Sequence, residues 1–108
     1  AYGKSKLANV LFTYELARRL AGTGVTANTL HPGYIATNLA PAAGLKMSPP
    51  LTPEQGAETQ IWLASSPDVE GVTGKYFSRK RETQSSKESH DEQVTKRLWD
   101  VSAELVGL

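Results

Sequence analysis

The sequence predicts an α/β fold in which helices alternate with short parallel strands. Two observations carry that reading. A long two-row amphipathic pattern over residues 2–21 runs through a tight glycine turn into a short strand, the αβ half of a βαβ unit. A second helix, opened by a capping box, is followed by a second short apolar strand.

The elements follow in order. Leu7, Leu11, Tyr14 and Arg18 form one helical row, and Phe12, Leu16 and Leu20 a second. Two rows make a wide apolar stripe, so this helix needs cover on more than one side and is a candidate homo-oligomer face. Arg18 and Arg19 suit its C-terminal dipole, and Gly22 and Gly24 stop it. Val25 to His31 reads as a strand closed by Pro32-Gly33. Residues 33–51 are rich in proline and alanine, an unusually long connection of the kind that serves as a substrate loop.

Thr52, Pro53 and Gln55 then predict a helix start with a capping box, running to about Ala64. Val72 to Ser78 reads as the next strand. Residues 78–93 lack any hydrophobic side chain, which predicts a solvated polar linker over about 78–90. Ser89 and Glu92 form a second capping-box pattern. Val94, Leu98, Val101 and Leu105 then make the stripe of a C-terminal helix over about 91–106, ending near Gly107.

Composition narrows the function. At 39% hydrophobic and 21% charged, the 108 residues are ordinary globular sequence, which excludes collagen-like, coiled-coil and wholly disordered chains. A net charge of +1 gives no electrostatic case for nucleic acid or an anionic membrane. With no cysteine, disulfide scaffolds, thiol catalysis and thiolate metal sites are all out, while the redox compartment stays open. Two histidines make no convincing metal site, so none is expected. No apolar run approaches a membrane span. The helical pattern starts at once from Ala1-Tyr2-Gly3-Lys4, which predicts a piece of a longer chain. Localisation stays open between cytoplasmic and membrane-associated. Arg79-Lys80-Arg81 is a basic cluster, but residues 78–93 hold four basic and four acidic side chains, so the charges cancel.

The most informative residues come first. Tyr2 and Lys6 lie four apart and project from one helix face. A phenol is a poor base at neutrality. A cation about 4 Å away favours its ionised form, by about 4 kcal/mol at an effective dielectric near 20. Alone, this spacing is equally that of an exposed aromatic and lysine on a first turn.

The run Tyr2-Gly3-Lys4-Ser5-Lys6-Leu7-Ala8-Asn9 resembles the active-site helix of short-chain dehydrogenases/reductases. Val25-Thr26-Ala27-Asn28 and His31-Pro32-Gly33-Tyr34-Ile35-Ala36-Thr37 are similar to that family's next strand and its Pro-Gly loop. Gly74-Lys75-Tyr76-Phe77 and the tail from Arg97-Leu98-Trp99 to Leu108 resemble the C-terminal end of its retinol dehydrogenase-like branch, which also includes WW-domain oxidoreductase-like proteins.

The resemblance implies the C-terminal part of a doubly wound, Rossmann-type parallel sheet, its two strands separated neighbours near one edge. It implies an NAD(P)(H)-dependent oxidoreductase that interconverts a carbonyl and an alcohol, on a lipophilic substrate. Tyr2 would exchange the proton with the substrate oxygen. Lys6 would bind the nicotinamide ribose and, as a nearby cation, favour the ionised phenol. Pro32 and Gly33 would shape the cofactor loop, the Ile35 backbone would hold the carboxamide, and the Thr37 hydroxyl would contact the carboxamide or phosphate region. The family's glycine-rich phosphate cradle, its catalytic serine and supporting asparagine, and the residue that separates NAD(H) from NADP(H) have no counterparts here. Gly22-Thr23-Gly24 follows a helix and enters a strand, the wrong order for a cradle. The 108 residues alone are therefore expected to be inactive. The alternative reading is a non-catalytic interaction fragment of the same fold.

Overall fold

In the computed structural model, the structure describes residues 2–33, 35 and 51–108. Helix α1 spans Tyr2–Arg19, with Leu11, Tyr14, Glu15 and Ala17 buried. After Gly3 it has neither glycine nor proline, and Leu, Ala and Arg give it good helix propensity. Of the first predicted row Leu11 and Tyr14 are buried and Arg18 is exposed, whereas Phe12 of the second stays 47% exposed. The chain leaves the helix as expected: Thr23 donates from both N (3.0 Å) and Oγ1 (2.6 Å) to the Leu20 carbonyl, and Gly22 and Gly24 take φ +81°.

Strands β1 (Thr29–His31) and β2 (Tyr76–Ser78) are parallel and pair directly, His31 opposite Ser78. This corrects the expectation of separated neighbours: with the described residues, the two strands bond to each other. Strand β3 (Arg81–Glu82) joins β2 antiparallel, giving a small mixed sheet in the order β1-β2-β3. The architecture is α/β, and the described sheet is mixed rather than wholly parallel.

Both parallel strands are shorter than their apolar runs, because upstream the backbone bonds Gly74 N to Ala27 O (2.8 Å) and Thr29 N to Lys75 O (2.9 Å) are interleaved with side-chain bonds. Asn28 Nδ2 donates to Val72 O (2.8 Å) and its Oδ1 accepts from Lys75 N (3.1 Å). Thr73 Oγ1 accepts from Ala27 N (3.0 Å). Together these bonds hold residues 27–28 beside 72–75.

The turn between β2 and β3 has only two residues, Arg79 (φ +51°) and Lys80 (φ +59°). Two positive φ values make the hairpin turn whose twist suits the flanking strands, a position usually filled by Asn-Gly.

Thr52 caps the next helix as predicted. Its Oγ1 accepts from Gln55 N (3.1 Å), and its own N donates to Gln55 Oε1 (2.9 Å). The expected single helix is divided into α2 (Pro53–Gly56) and α3 (Glu58–Ser65) at Ala57, whose N–H is shared between the Pro53 and Glu54 carbonyls. Trp62 of α3 meets Phe77 of β2 edge-on at 5.7 Å, and Phe77 is 3% exposed.

The polar stretch after β2 is largely solvated, yet it contains β3 and a one-turn 3-10 segment (Lys87–His90) in which Ser89 is 1% exposed. Small hydroxyl side chains bury here because they satisfy one another, a pattern hydropathy does not register.

Helix α4 spans Glu92–Val106. Its cap is Asp91, whose Oδ1 accepts from Gln93 N (3.1 Å) and Val94 N (3.2 Å), and not the Ser89–Glu92 box. Gly107 (φ +79°) closes it, with Leu108 N bonding Ala103 O (2.8 Å). Helix α4 packs on α1 through Trp99, which stacks on Phe12 at 5.2 Å and 12° and lies under Arg19 at 4.6 Å. Thr95 is 1% exposed. The predicted stripe is therefore rotated: Val94 and Leu105 remain exposed, Leu98 and Val101 half-buried. The large aromatic face and the flanking pairs Arg18–Glu92 (3.9 Å) and Arg19–Asp100 (3.8 Å) set the rotation. Beneath them, Glu15 receives Arg18 Nε (3.1 Å) and Arg19 Nε (2.9 Å).

Candidate active site

Tyr2 and Lys6 occupy the first turn and a half of α1, where Ser5 Oγ donates to the Tyr2 carbonyl (2.8 Å). Their four-residue spacing places both on one face. The Lys6 ammonium lies over the Tyr2 ring, 5.4 Å from its centroid, within cation–π range. Tyr2 is 66% exposed, so the pair is presented outward and open to a ligand.

The second group of predicted residues lies where β1 ends. Pro32 and Gly33 turn the chain, and His31 Nδ1 accepts from Gly33 N (2.9 Å), which folds the turn back on the strand end. Gly33 is favoured first by its backbone and second by a contact with the end of the Leu51 side chain. Its φ is +93°, and a Cβ there would lie 2.8 Å from Leu51 Cδ1. Ile35 forms an isolated parallel bridge with Leu51 and packs its side chain on Gly56, where no Cβ fits. Thr37 and most of the expected 33–51 substrate loop lie outside the described residues. No hydrogen bond or ion pair among the described residues joins the Tyr2–Lys6 pair to the Pro32–Ile35 turn.

Sequence reasoning passed over a hydroxyl–imidazole cluster. Tyr14 Oη and Ser85 Oγ are 2.6 Å apart, Ser85 and Ser89 hydroxyls 2.5 Å, and Ser85 Oγ lies 3.3 Å from His90 Nε2. The His90 ring stacks on Tyr14 at 5.6 Å. The signal was faint: Tyr14 sat in an apolar helical row, and the serines in a hydrophilic run. Burial, and secondarily the Tyr14 phenol, push the Tyr76 phenol above its ordinary range.

Gly22-Thr23-Gly24 closes α1 and is exposed, so it serves as a helix stop. Among the described residues there is no cluster of three metal-ligating side chains, and no helix is long and apolar enough to cross a membrane.

No family model matches the chain. Curated relatives do. Retinol dehydrogenase 14 of Homo sapiens is 49% identical over 99% of this chain, which covers 35% of that protein. Retinol dehydrogenase 13 of Mus musculus is 45% identical, and retinol dehydrogenase 12 of Mus musculus 42%, each over 100% of this chain and 36% of its own length. The chain thus spans about a third of the length of the curated relatives it matches. With such identity sustained from end to end, the curated homologues of this chain are retinol dehydrogenases, short-chain dehydrogenases/reductases that it matches over about a third of their length.

Proposed function

We propose that the protein carrying this chain interconverts a carbonyl and an alcohol with NAD(H) or NADP(H), on a lipophilic substrate of the kind the retinol dehydrogenases are named for. The observation that carries this reading is the outward-facing Tyr2–Lys6 pair, in a chain 49% identical to retinol dehydrogenase 14. The small mixed sheet is read as one edge of a doubly wound sheet.

The residues present fit one end of a dinucleotide. Tyr2 and Lys6 are exposed hydrogen-bonding groups on one face, and the Gly33 turn, at φ +93°, leads the chain away from the end of β1. A phosphate cradle has no counterpart among the described residues. When bound, the nicotinamide supplies the hydride acceptor or donor.

The Tyr2 hydroxyl hands its proton to the substrate oxygen as that oxygen gains charge in reduction, and accepts it in oxidation. Lys6 would hold the ribose hydroxyls, its ammonium lying over the Tyr2 ring and fixing the phenol on the same helix face. Pro32 and Gly33 set the path of the loop, the Ile35 backbone holds the carboxamide, and Thr37 adds a hydroxyl contact. The 108 residues alone are expected to turn over nothing, because the phosphate end of the dinucleotide lacks its site.

The test is Tyr2→Phe and Lys6→Ala in a full-length protein carrying this chain, assayed with all-trans-retinal, decanal and a steroid ketone. Tyr2→Phe keeps the ring and loses only the transferable proton. Turnover should fall by roughly 10²–10⁴-fold with cofactor affinity nearly intact. Lys6→Ala should damage both. Near-normal kcat in Tyr2→Phe refutes the proton-transfer role, and no turnover of any carbonyl or alcohol by the unaltered protein refutes the oxidoreductase reading.

A further inference from the structure

The Arg79–Lys80 turn is a local contradiction in the sequence. Its backbone is the two-residue, positive-φ turn that Asn-Gly makes without strain, yet it holds two long, branched or flexible cations at φ +51° and +59°. Such strain persists only where surrounding structure imposes it, and it gathers at ligand sites. The imposing contacts are visible. Lys80 N donates to Thr59 Oγ1 (3.2 Å), on a threonine only 6% exposed, and Lys80 Nζ pairs with Glu58 (3.7 Å).

Position adds a second, independent argument. β1 and β2 are parallel, with His31 opposite Ser78, so the residues that follow them, Pro32 and Arg79, leave the same edge of the sheet side by side. That is the carboxyl edge, where open α/β sheets take ligands. Between them lies a cavity of about 260 Å³, lined by the apolar side chains of Pro32 and Leu51 and by the polar ones of Gln55, Thr59, Arg79 and Lys80. Among the described residues lining it, Glu58 is the one carboxylate against the two cations Arg79 and Lys80. Among the described residues Arg79 has no ion-pair partner.

We propose that this cavity is a binding site for a carboxylate carried on an apolar chain. Arg79 receives the carboxylate through its planar fork of donors, a geometry that matches two oxygens at once. Lys80, held by Glu58, supplies the second positive charge. The first carbons of the chain lie against Pro32 and Leu51. The size suits the end of an extended ligand rather than a whole one. This site does not depend on hydride transfer, and its test does not read turnover.

The experiment is calorimetric titration of a full-length protein carrying this chain with decanoate, its uncharged ester methyl decanoate, and acetate. Decanoate should bind at least about tenfold more tightly than either, because only it satisfies both halves of the cavity. Arg79→Asn removes the cation but tolerates positive φ, so the turn survives. It should weaken decanoate by about tenfold and leave methyl decanoate unchanged. Lys80→Asn should weaken decanoate less, with near-UV circular dichroism confirming that both variants keep the fold. Equal affinity for decanoate and methyl decanoate overturns the proposal, as does an Arg79→Asn protein that binds decanoate like the unaltered one. Acetate binding as tightly as decanoate overturns the apolar half of the site.

Discussion

Replacing Gly56 by alanine should destabilise this protein, although alanine is the better helix former. In an open helix the exchange gains about 1 kcal/mol. Here Gly56 is buried at the end of α2 against the Ile35 side chain. A Cβ would lie 2.7 Å from Ile35 Cγ1, would overlap Cδ1 outright, and would sit 3.4 Å from Cγ2. Carbon atoms need about 3.5–4.0 Å, so the shortfall at Cγ1 is about 1 Å. Isoleucine is stiff at χ1 and meets the new methyl with three of its atoms, so relief takes either an unfavourable rotamer or a shift of α2 from the Ile35–Leu51 bridge. Overpacking of this kind costs about 1–3 kcal/mol. Set against the helix gain, the net loss is about 1 kcal/mol. Urea denaturation of a full-length protein carrying Gly56→Ala, Ile35→Ala and both together would measure it. The double variant should recover part of the loss, with a coupling of at least about 0.5 kcal/mol. If Gly56→Ala matches or exceeds the unaltered protein, or the two changes add without coupling, close packing at Gly56 is the wrong explanation for glycine there.

Two further outcomes follow from the α1–α4 contact. Trp99→Ala removes a ring stacked between Phe12 and the Arg19 guanidinium, and should cost about 2–3 kcal/mol in urea denaturation, below the range for fully buried tryptophan because Trp99 is half-buried. A loss under about 0.5 kcal/mol would show that α4 is held by something else. The hydrogen bond from Lys96 (2.8 Å), with the charges of Lys96, Arg19 and Arg97, holds the Asp100 carboxyl below the usual carboxylate range. A folded-state value below the unfolded one means this stabilisation is complete above the unfolded value of about 3.9 and fades as pH falls through the folded value. The stability difference between the unaltered protein and Asp100→Asn should therefore be constant from pH 7 to about 5 and shrink below about 4. A difference that grows on acidification would reverse the assigned sign.

Much of the local architecture was legible in the residues themselves. The start of α1, its glycine stop, the Thr52–Gln55 capping box and the closing role of Gly107 depend on interactions within a few residues and appear where the pattern placed them, α1 ending at Arg19, two residues before its expected end at 21. The one-face placement of Tyr2 and Lys6 is likewise a consequence of helical spacing. Other features depend on what comes near in space. The Val94–Leu105 stripe marked α4 correctly as a helix but not its buried face, because Trp99 gains more against Phe12 and Arg19 than Val94 or Leu105 gains elsewhere. Ser89 lost its expected capping role to Asp91 and was buried instead, since Ser85 and the Ser86 carbonyl offered hydrogen bonds no linear pattern reveals. The direct pairing of β1 with β2, and with it the meeting of Pro32 and Arg79 at one sheet edge, joins residues more than forty apart in the chain. Composition made Arg79-Lys80-Arg81 a neutralised stretch of linker. Only the parallel register, with Thr59 and Glu58 brought beneath the turn, sets two of those charges around a cavity. Hydrophobic periodicity encodes which face an element prefers to bury, whereas the partner that covers it, and the charges gathered at the seam, are decided by the packing.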